Sequence, residues 1–393
     1  MSASLARSAL VLFGLALGVL CAEGALHVLG PRLPGLYNLA TFQAYHPIYG
    51  FFHRPGARGW VRTDEFTSYV QINSRGLRDR EVAIPKPAQT FRLLVLGDSI
   101  VEGSQVALDQ TLPKQLEQLL GGGPGRPLEA INAGNAGFGT AQELLFLQHD
   151  GPAYGPDVVV LVFYVDNDAA NNGIGVAQKR GLSTAGRPFF VLDSDGNLLQ
   201  VPVASMPPEP LGQLKDVLRN SSLLYDVGEN LLTARAAAKQ YHAVRMDKDR
   251  TMYLIEPPRE WQDAWAVTEA LLERARESAS AIGAELVVVA APSQFQVYER
   301  DWRMLLNTTR EAELKRYDQA APNRRLAAAA ERAGVRLLDL LPTFRAAAAS
   351  NGAAALYFAE DGHWTPAGHG LAAQQLAAYL GEHGLLPTWT RPA

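Results

Sequence analysis

Four short polar segments carry residue types suited to acyl chemistry. Gly97-Asp98-Ser99 follows the apolar run at 93–96. A serine there sits at the carboxyl end of a buried strand, where open α/β sheets place their sites. The helix after it offers its N-terminus to developing negative charge. Alone, Ser99 reads equally well as the N-cap of that helix. A serine hydroxyl is a weak nucleophile and needs a base within reach, oriented by an acid. The run Glu360-Asp361-Gly362-His363-Trp364-Thr365-Pro366-Ala367-Gly368-His369 supplies His363 and two carboxylates on one loop. His369, at the start of the closing helix, reads as structural. Asn132-Ala133-Gly134-Asn135-Ala136-Gly137 has glycines that let the backbone aim an N–H at a ligand. Asp166-Asn167-Asp168 offers a side-chain amide donor. Taken singly, these two read as a glycine turn and a polar loop start. No histidine pair at ligand spacing accompanies Asp166 and Asp168, so no metal is expected there.

The elements that must position these residues alternate along the chain. Residues 93–96 and 158–164 are short continuous apolar runs, the pattern of strands buried on both faces. Leu112, Leu116, Leu119 and Leu120 follow at helical spacing, as do Leu144, Leu145 and Leu147. A helix face at Leu271, Leu272, Ala275, Ala279 and Ile282 precedes a strand over 286–290. Another strand is expected over 335–338 and a closing helix over 367–380. Alternating strands and helices imply a parallel sheet covered on both sides. Residues 31–90 read as an irregular prelude, with a short strand over 67–73 and a turn at Asn73-Ser74-Arg75-Gly76. Residues 171 to about 258 interrupt the alternation as an insertion. In it, Asp193-Ser194-Asp195-Gly196-Asn197 lacks the later carboxylates of a calcium loop and reads as a hairpin turn.

Together the four polar segments resemble the SGNH hydrolase family, the GDSL-type esterases. Its blocks are a GDS serine, a glycine, an asparagine and a histidine preceded by an acid. Ser99, Gly137, Asn167 and His363 match them in that order. The resemblance covers about residues 91–380, interrupted by the insertion. The prelude segment Asn73-Ser74-Arg75-Gly76-Leu77-Arg78 looks like that of bacterial membrane-anchored members. The resemblance implies a flavodoxin-like, three-layer α/β/α sandwich with a five-stranded parallel sheet in a domain over 91–390. It implies a catalytic set of Ser99, Asp361 and His363 and an oxyanion hole from Ser99, Gly137 and Asn167, with no cofactor and no metal. Two positions depart from the pattern. Many members carry aspartate three residues before the histidine, where this chain has Glu360. Asp361, two before, has the spacing of some relatives that acetylate exported polysaccharides and is the favoured acid. Asp166 stands where a glycine usually precedes the asparagine, which bears on the width and charge of the pocket.

Location and substrate class follow from the rest of the chain. The 393 residues include 36 basic and 40 acidic ones, a net charge of −4, which lacks the basic excess of a general nucleic-acid partner. The single cysteine, Cys21, excludes an intrachain disulfide and a cysteine zinc site. After a short basic tail over 1–8, residues 9–30 are apolar enough to span a bilayer, with Glu23 near the far interface. Arg7 and the free amine hold the tail inside, so the catalytic domain is expected outside the cytoplasm, periplasmic or at the cell surface. A cleaved signal peptide ending near Ala22-Glu23-Gly24 is the rival reading. Leu20 before Cys21 argues against a lipoprotein. A tethered, exported enzyme suggests a serine esterase acting on short acyl esters, O-acetyl groups of envelope or extracellular carbohydrate. Asp98, Phe138 and Trp364 flank the catalytic positions and are candidate substrate contacts, the two aromatics being equally suited to a core. The alternatives are an O-acetyltransferase of exported polysaccharide, a lipid esterase, and an inactive glycan-binding or scaffold protein.

Overall fold

The computed structural model describes residues 3–29, 42–121, 127–180, 184, 186–201, 211–225, 227–228, 250–307, 309–350 and 354–388. At its centre lie five parallel strands, β5 (Phe91–Gly97), β6 (Leu128–Gly134), β7 (Val158–Tyr164), β10 (Glu285–Ala291) and β11 (Arg336–Asp339), in the order β11-β10-β7-β5-β6. All four pairings are parallel. This is the expected doubly wound sheet. Every residue of β7 is buried, which explains why its sequence is continuously apolar rather than alternating.

Successive strand residues point to opposite faces, and two cores result. Leu94, Leu96, Val159, Leu161 and Phe163 face one core. It is closed by Leu144 and Leu145 of α4 (Thr140–His149), by Leu271, Leu272 and Ala275 of α9 (Arg259–Ala281), and by Leu326 and Ala329 of α10 (Ala321–Ala333). Leu93, Val95, Val158, Val160 and Val162 face the other. There Leu112, Leu116 and Leu120 of α3 (Leu112–Leu120) meet Leu376 and Ala377 of α11 (Pro366–Glu382). Burying a leucine in either layer contributes about 1.5–3 kcal/mol, so the two layers hold the strand ends in fixed register. Smaller helices, α2 (Ser99–Glu102), α5 (Gly151–Tyr154), α6 (Asp168–Asn172) and α7 (Ile174–Lys179), follow the strand ends or extend the helical layers.

The segment before the sheet is more regular than its sequence suggests. β1 (Gln43–His46) pairs antiparallel with β2 (Gly50–His53), and β3 (Arg58–Arg62) with β4 (Thr67–Gln71). β4 is the short strand expected over 67–73, whereas β1, β2 and β3 are four or five residues long, too short for a period-2 pattern to stand out, and β1 is only half-buried. In the insertion, β8 (Phe189–Leu192) and β9 (Leu198–Val201) form the expected hairpin. The Asp193 carboxylate accepts the backbone N–H of Asp195 at 2.9 Å and of Asn197 at 2.8 Å, closing the turn. One further helix, α8 (Gly212–Ser221), belongs to the insertion. The N-terminal apolar run is helical as α1 (Ala3–Leu29). Arg7–Leu29, 23 residues, is long and apolar enough to cross a membrane, and of these residues only Ala22, Glu23 and Leu26 are partly covered. Residue 30 and the start of the prelude lie outside the described residues.

Candidate active site

The strand order reverses between β5 and β7, and the candidate residues gather at the carboxyl ends of those two strands and of β6. Ser99 is the first residue of α2, directly after β5. Asp98 caps that helix, its Oδ1 accepting the Ile100 N–H at 2.8 Å. Ile100 and Val101 are buried while Ser99 stays partly exposed. A first-turn residue has no intrahelical acceptor for its own N–H, so the Ser99 N–H is free to face a ligand beside the hydroxyl.

Ser99 Oγ lies 2.8 Å from His363 Nε2, and His363 Nδ1 lies 2.6 Å from Asp361 Oδ1. An ionised carboxylate only accepts, so Nδ1 donates to it and Nε2 is left to accept the serine proton. Gly362, at φ 84°, reverses the chain between the acid and the base and lets residues only two apart meet around one imidazole. Gly362 N–H to Phe358 O and Phe358 N–H to His363 O, both 2.9 Å, close this turn. Glu360 is exposed, and its N–H donates to Glu65 Oε1 at 2.9 Å. The Asp361 N–H donates to the other oxygen of Glu65 at 2.7 Å. A carboxylate between β3 and β4 therefore holds the loop that carries the acid.

Gly137 sits at φ 85° in the loop after β6, partly exposed. Its carbonyl accepts from Arg187 Nη2, while the preceding Ala136 N–H donates to Glu102 Oε2 at 2.5 Å. Gln43 Nε2 donates to Asn135 Oδ1 at 2.9 Å and to Ala136 O at 2.8 Å. The loop is thus fixed from both sides, and among the described residues the Gly137 N–H has no acceptor. Asn167, after β7, donates from Nδ2 to Asp98 Oδ2 at 2.8 Å. That bond spends one amide hydrogen and directs the other. The two blocks that touch through it are 69 residues apart in sequence.

Carboxyls are stacked behind this surface. Burial raises Asp98, against the hydrogen bonds from Asn167 and Ile100 that lower it. Glu143 and Asp168 are fully buried, and both are pushed well above the usual carboxylate range, first by burial and then by neighbouring carboxyls. Asp168 Oδ2 accepts the Tyr164 N–H at 2.7 Å, tying the start of α6 to β7. Arg187 is pushed down to about 10 by burial, with Asp168 raising it.

Asp98, Phe138 and Trp364, the candidate substrate contacts, present little surface, as the core reading of the two aromatics anticipated. All three are buried. Asp98 is consumed by the helix cap and by Asn167. Phe138 packs against Phe51 and Phe52, with ring centroids at 5.6 and 6.1 Å. Trp364 packs on Phe344 at 5.1 Å and on His369 at 5.6 Å. His369 is buried too, its Nδ1 accepting the Leu112 N–H at 3.2 Å, in keeping with a structural role.

Several supporting residues escape sequence reading. Arg78 is buried, with Nη1 donating at 2.7 Å to the carbonyls of both Glu102 and Gly103 and Nη2 at 2.6 Å to Val106 O. The Glu102 and Gly103 carbonyls end α2, and Val106 lies in the turn that follows. Glu102 is held at about 2, because His53, Ser104 and the Ala136 N–H together outweigh the upward push of burial. His53 Nε2 lies 3.0 Å from its Oε2. Arg78 lies in a motif the sequence does display. His53, Glu65 and Arg187 carry no local signal, since each acts on a partner dozens or hundreds of residues away.

Residues 251–389 match the family model described as SGNH hydrolase-like domain, acetyltransferase AlgX. Solved structures with a similar arrangement include a catalytic mutant of an acetylxylan esterase from Geobacillus stearothermophilus, 15% identical, covering 77% of this chain and 97% of that one with a TM-score of 0.38. An α/β hydrolase from the metagenome of Lake Arreo, Spain, is 14% identical over 76% of this chain and 97% of its own, TM-score 0.38. A GDSL-like lipase from Bacteroides thetaiotaomicron is 12% identical over 77% and 93%, TM-score 0.36. No curated protein matches the chain.

Proposed function

We propose, from the match of residues 251–389 to an SGNH hydrolase-like family model, that the chain is a serine esterase removing short acyl groups, O-acetyl above all, from extracytoplasmic carbohydrate. The observation that carries the reading is the continuous hydrogen-bonded series from Ser99 Oγ through His363 to Asp361, at 2.8 and 2.6 Å. His363 Nε2 takes the Ser99 proton as Oγ bonds to the ester carbonyl carbon. The carbonyl oxygen, now negative, is held by the N–H groups of Ser99 and Gly137 and by the free amide hydrogen of Asn167. His363 then protonates the departing sugar oxygen as its bond to carbon breaks. Water attacks the acyl-serine, giving its proton to His363, and acetate leaves as Ser99 Oγ recovers that proton. Asp361 orients the ring and stabilises its charged form throughout.

Transfer of the acetyl group to a sugar hydroxyl is the second reading. It is favoured by the family match, whose description is that of an acetyltransferase and whose residues include Asp361 and His363. Only the acceptor differs between the two. Incubation with an activated acetyl ester should give a burst of one acyl group per chain, absent in Ser99→Ala. Octanoyl esters should react more slowly than acetyl esters. Free acetate as the product, with acetylated glycan supplied, supports the esterase; acetyl appearing on an added glycan acceptor supports transfer. No burst and no labelling by a fluorophosphonate would sink both and leave an inactive binding protein.

In the same reading, α1 stays attached and tethers the catalytic domain outside the cytoplasm, with Arg7 on the inner side. Cell fractionation with sequencing of the mature N-terminus tests this. A soluble product beginning near Ala25 would mean a cleaved signal peptide instead.

A further inference from the structure

The outer end of α1 makes specific contact with the insertion. Glu23 Oε2 accepts the Ser222 hydroxyl at 2.8 Å and the Leu224 N–H at 3.0 Å, and Oε1 accepts the Leu223 N–H at 2.6 Å. His27, one turn further along α1, lies 3.3 Å from the same carboxylate. Glu23 precedes the end of the apolar span by six residues, Arg7–Leu29 being that span. At about 1.5 Å per residue its carboxylate lies on the order of 9 Å inside the outer end. A carboxylate at that depth is costly unless donors accompany it. The insertion supplies three, two of them backbone N–H groups that begin a helical turn, the end of a helix that favours negative charge.

Those donors directly follow α8. Leu211 at its N-cap and Leu214 and Val217 along it follow at spacings of three and stand 69%, 52% and 61% exposed. Leu218, half-buried, falls within the same stripe. At 100° per residue Leu214, Val217 and Leu218 span roughly 100° of the helix circumference, the width of an apolar face that meets a partner, with Leu211 at the N-cap before them. In water nothing compensates three large apolar side chains on one short helix. An interfacial helix buries its apolar face about 5–10 Å into the boundary between headgroups and acyl chains. The Glu23 contact holds the C-terminal end of α8 at about that depth.

We propose that α8 lies on the outer surface of the bilayer that α1 spans, with Leu211, Leu214 and Val217 in its acyl boundary, so that the insertion clamps the catalytic domain against the membrane. The occupant of the apolar face is lipid, because the segment is pinned to a membrane-spanning helix at acyl-boundary depth. This rests on α1 being retained as an anchor. The clamp gives the catalytic domain a fixed mounting and limits the enzyme to acyl esters close to the membrane surface.

The test uses the full chain in nanodiscs of phosphatidylethanolamine and phosphatidylglycerol, in a Cys21→Ser background. Single cysteines replace Leu211, Leu214 or Val217, with Asp195→Cys at the exposed β8–β9 turn and Leu12→Cys in α1 as references. Each carries a nitroxide, and its collisions with oxygen and with a water-soluble nickel complex are compared. The three α8 positions should favour oxygen as Leu12 does, while Asp195 favours nickel. Adding Glu23→Ala should move the α8 positions toward the nickel-accessible pattern and leave Leu12 unchanged. Nickel-accessible α8 positions beside a lipid-exposed Leu12 would overturn the proposal alone. Exclusion of both reagents from α8 would also overturn it, in favour of a protein partner. A Leu12 position that is lost or reads as aqueous would instead overturn the anchor.

Discussion

At the residue scale, the choice between two adjacent carboxylates depends on geometry that one glycine makes available. Asp361 meets the imidazole at 2.6 Å, whereas Glu360 is exposed and engages Glu65 only through its backbone N–H. Asp361→Asn should therefore lower kcat by roughly 10³–10⁴-fold through the wrong tautomer. Glu360→Gln should stay within a few-fold of wild type. Steady-state rates on an acetyl ester measure both, and the reverse order would transfer the acid role to Glu360. Asp98 makes a different prediction. Its carboxylate accepts from both Ile100 N–H and Asn167 Nδ2, so in Asp98→Asn an NH₂ group must face one of these two donors. Asn167 would turn, and acylation should slow by about 10- to 100-fold, within the loss expected for one oxyanion donor, with KM nearly unchanged. A raised KM at constant kcat would return Asp98 to the role of a substrate contact.

At the scale of elements, the segment before the sheet is the outer support of the candidate active site. Arg78 joins it to the end of α2 and the turn after it through three carbonyls. Glu65 joins it to the histidine loop, and Asp79 joins it to β6 by accepting the Asn132 N–H at 2.8 Å. Arg78 remains charged at neutral pH even though burial, opposed by Glu102 and Asp79, pushes it down to about 10. Arg78→Met keeps much of the volume and leaves buried carbonyls without their donor, at about 1–3 kcal/mol for each group stranded. Urea unfolding should show a loss on the order of 3 kcal/mol, with slower acylation in the fraction that remains folded. A variant of unchanged stability and rate would mean that the prelude is packed beside the site without supporting it.

At the scale of the molecule, His369 links proton uptake to stability. Burial, with the charges of Arg78 and His363, pushes it from 6.5 down to about 3, and its Nδ1 must stay unprotonated to accept the Leu112 N–H. Below its ordinary range the unfolded chain binds a proton that the folded chain does not, so stability falls as pH drops from about 6.5 toward 3. The expected loss from this group is about 2 kcal/mol by pH 5. Glu102, held at about 2, works in the same direction in a lower window, its contribution lost as pH falls from about 4.5 to 2. Urea midpoints measured between pH 7 and 5 cover this window, which His46, also lowered by burial, shares, so His369→Gln should flatten the slope without abolishing it. An unchanged slope would place the acid sensitivity elsewhere.

Some of this was written in the order of residues along the chain, and some was not. The apolar runs at 93–96 and 158–164 declared buried parallel strands because a strand covered on both faces needs apolar side chains at every position. The helices between them declared themselves by period. Asp193 to Asn197 read as a turn because its missing ligands are visible in sequence. The four polar segments were legible as a candidate site only as a set, by their order's resemblance to the blocks of a known family, since each alone reads as well as a cap, a turn or a loop start. Their pairing was not, since Asp98 and Asn167 meet only when β5 and β7 lie side by side. Tertiary packing alone decided that Asp98, Phe138 and Trp364 turn inward, because burial belongs to the space between elements. It likewise recruited His53, Glu65 and Arg187, whose partners stand on other elements, and joined Glu23 to Ser222 across 199 residues. Local pattern is set by neighbours within a turn or two of backbone, whereas a site assembled across the ends of several strands is set by how the sheet is ordered.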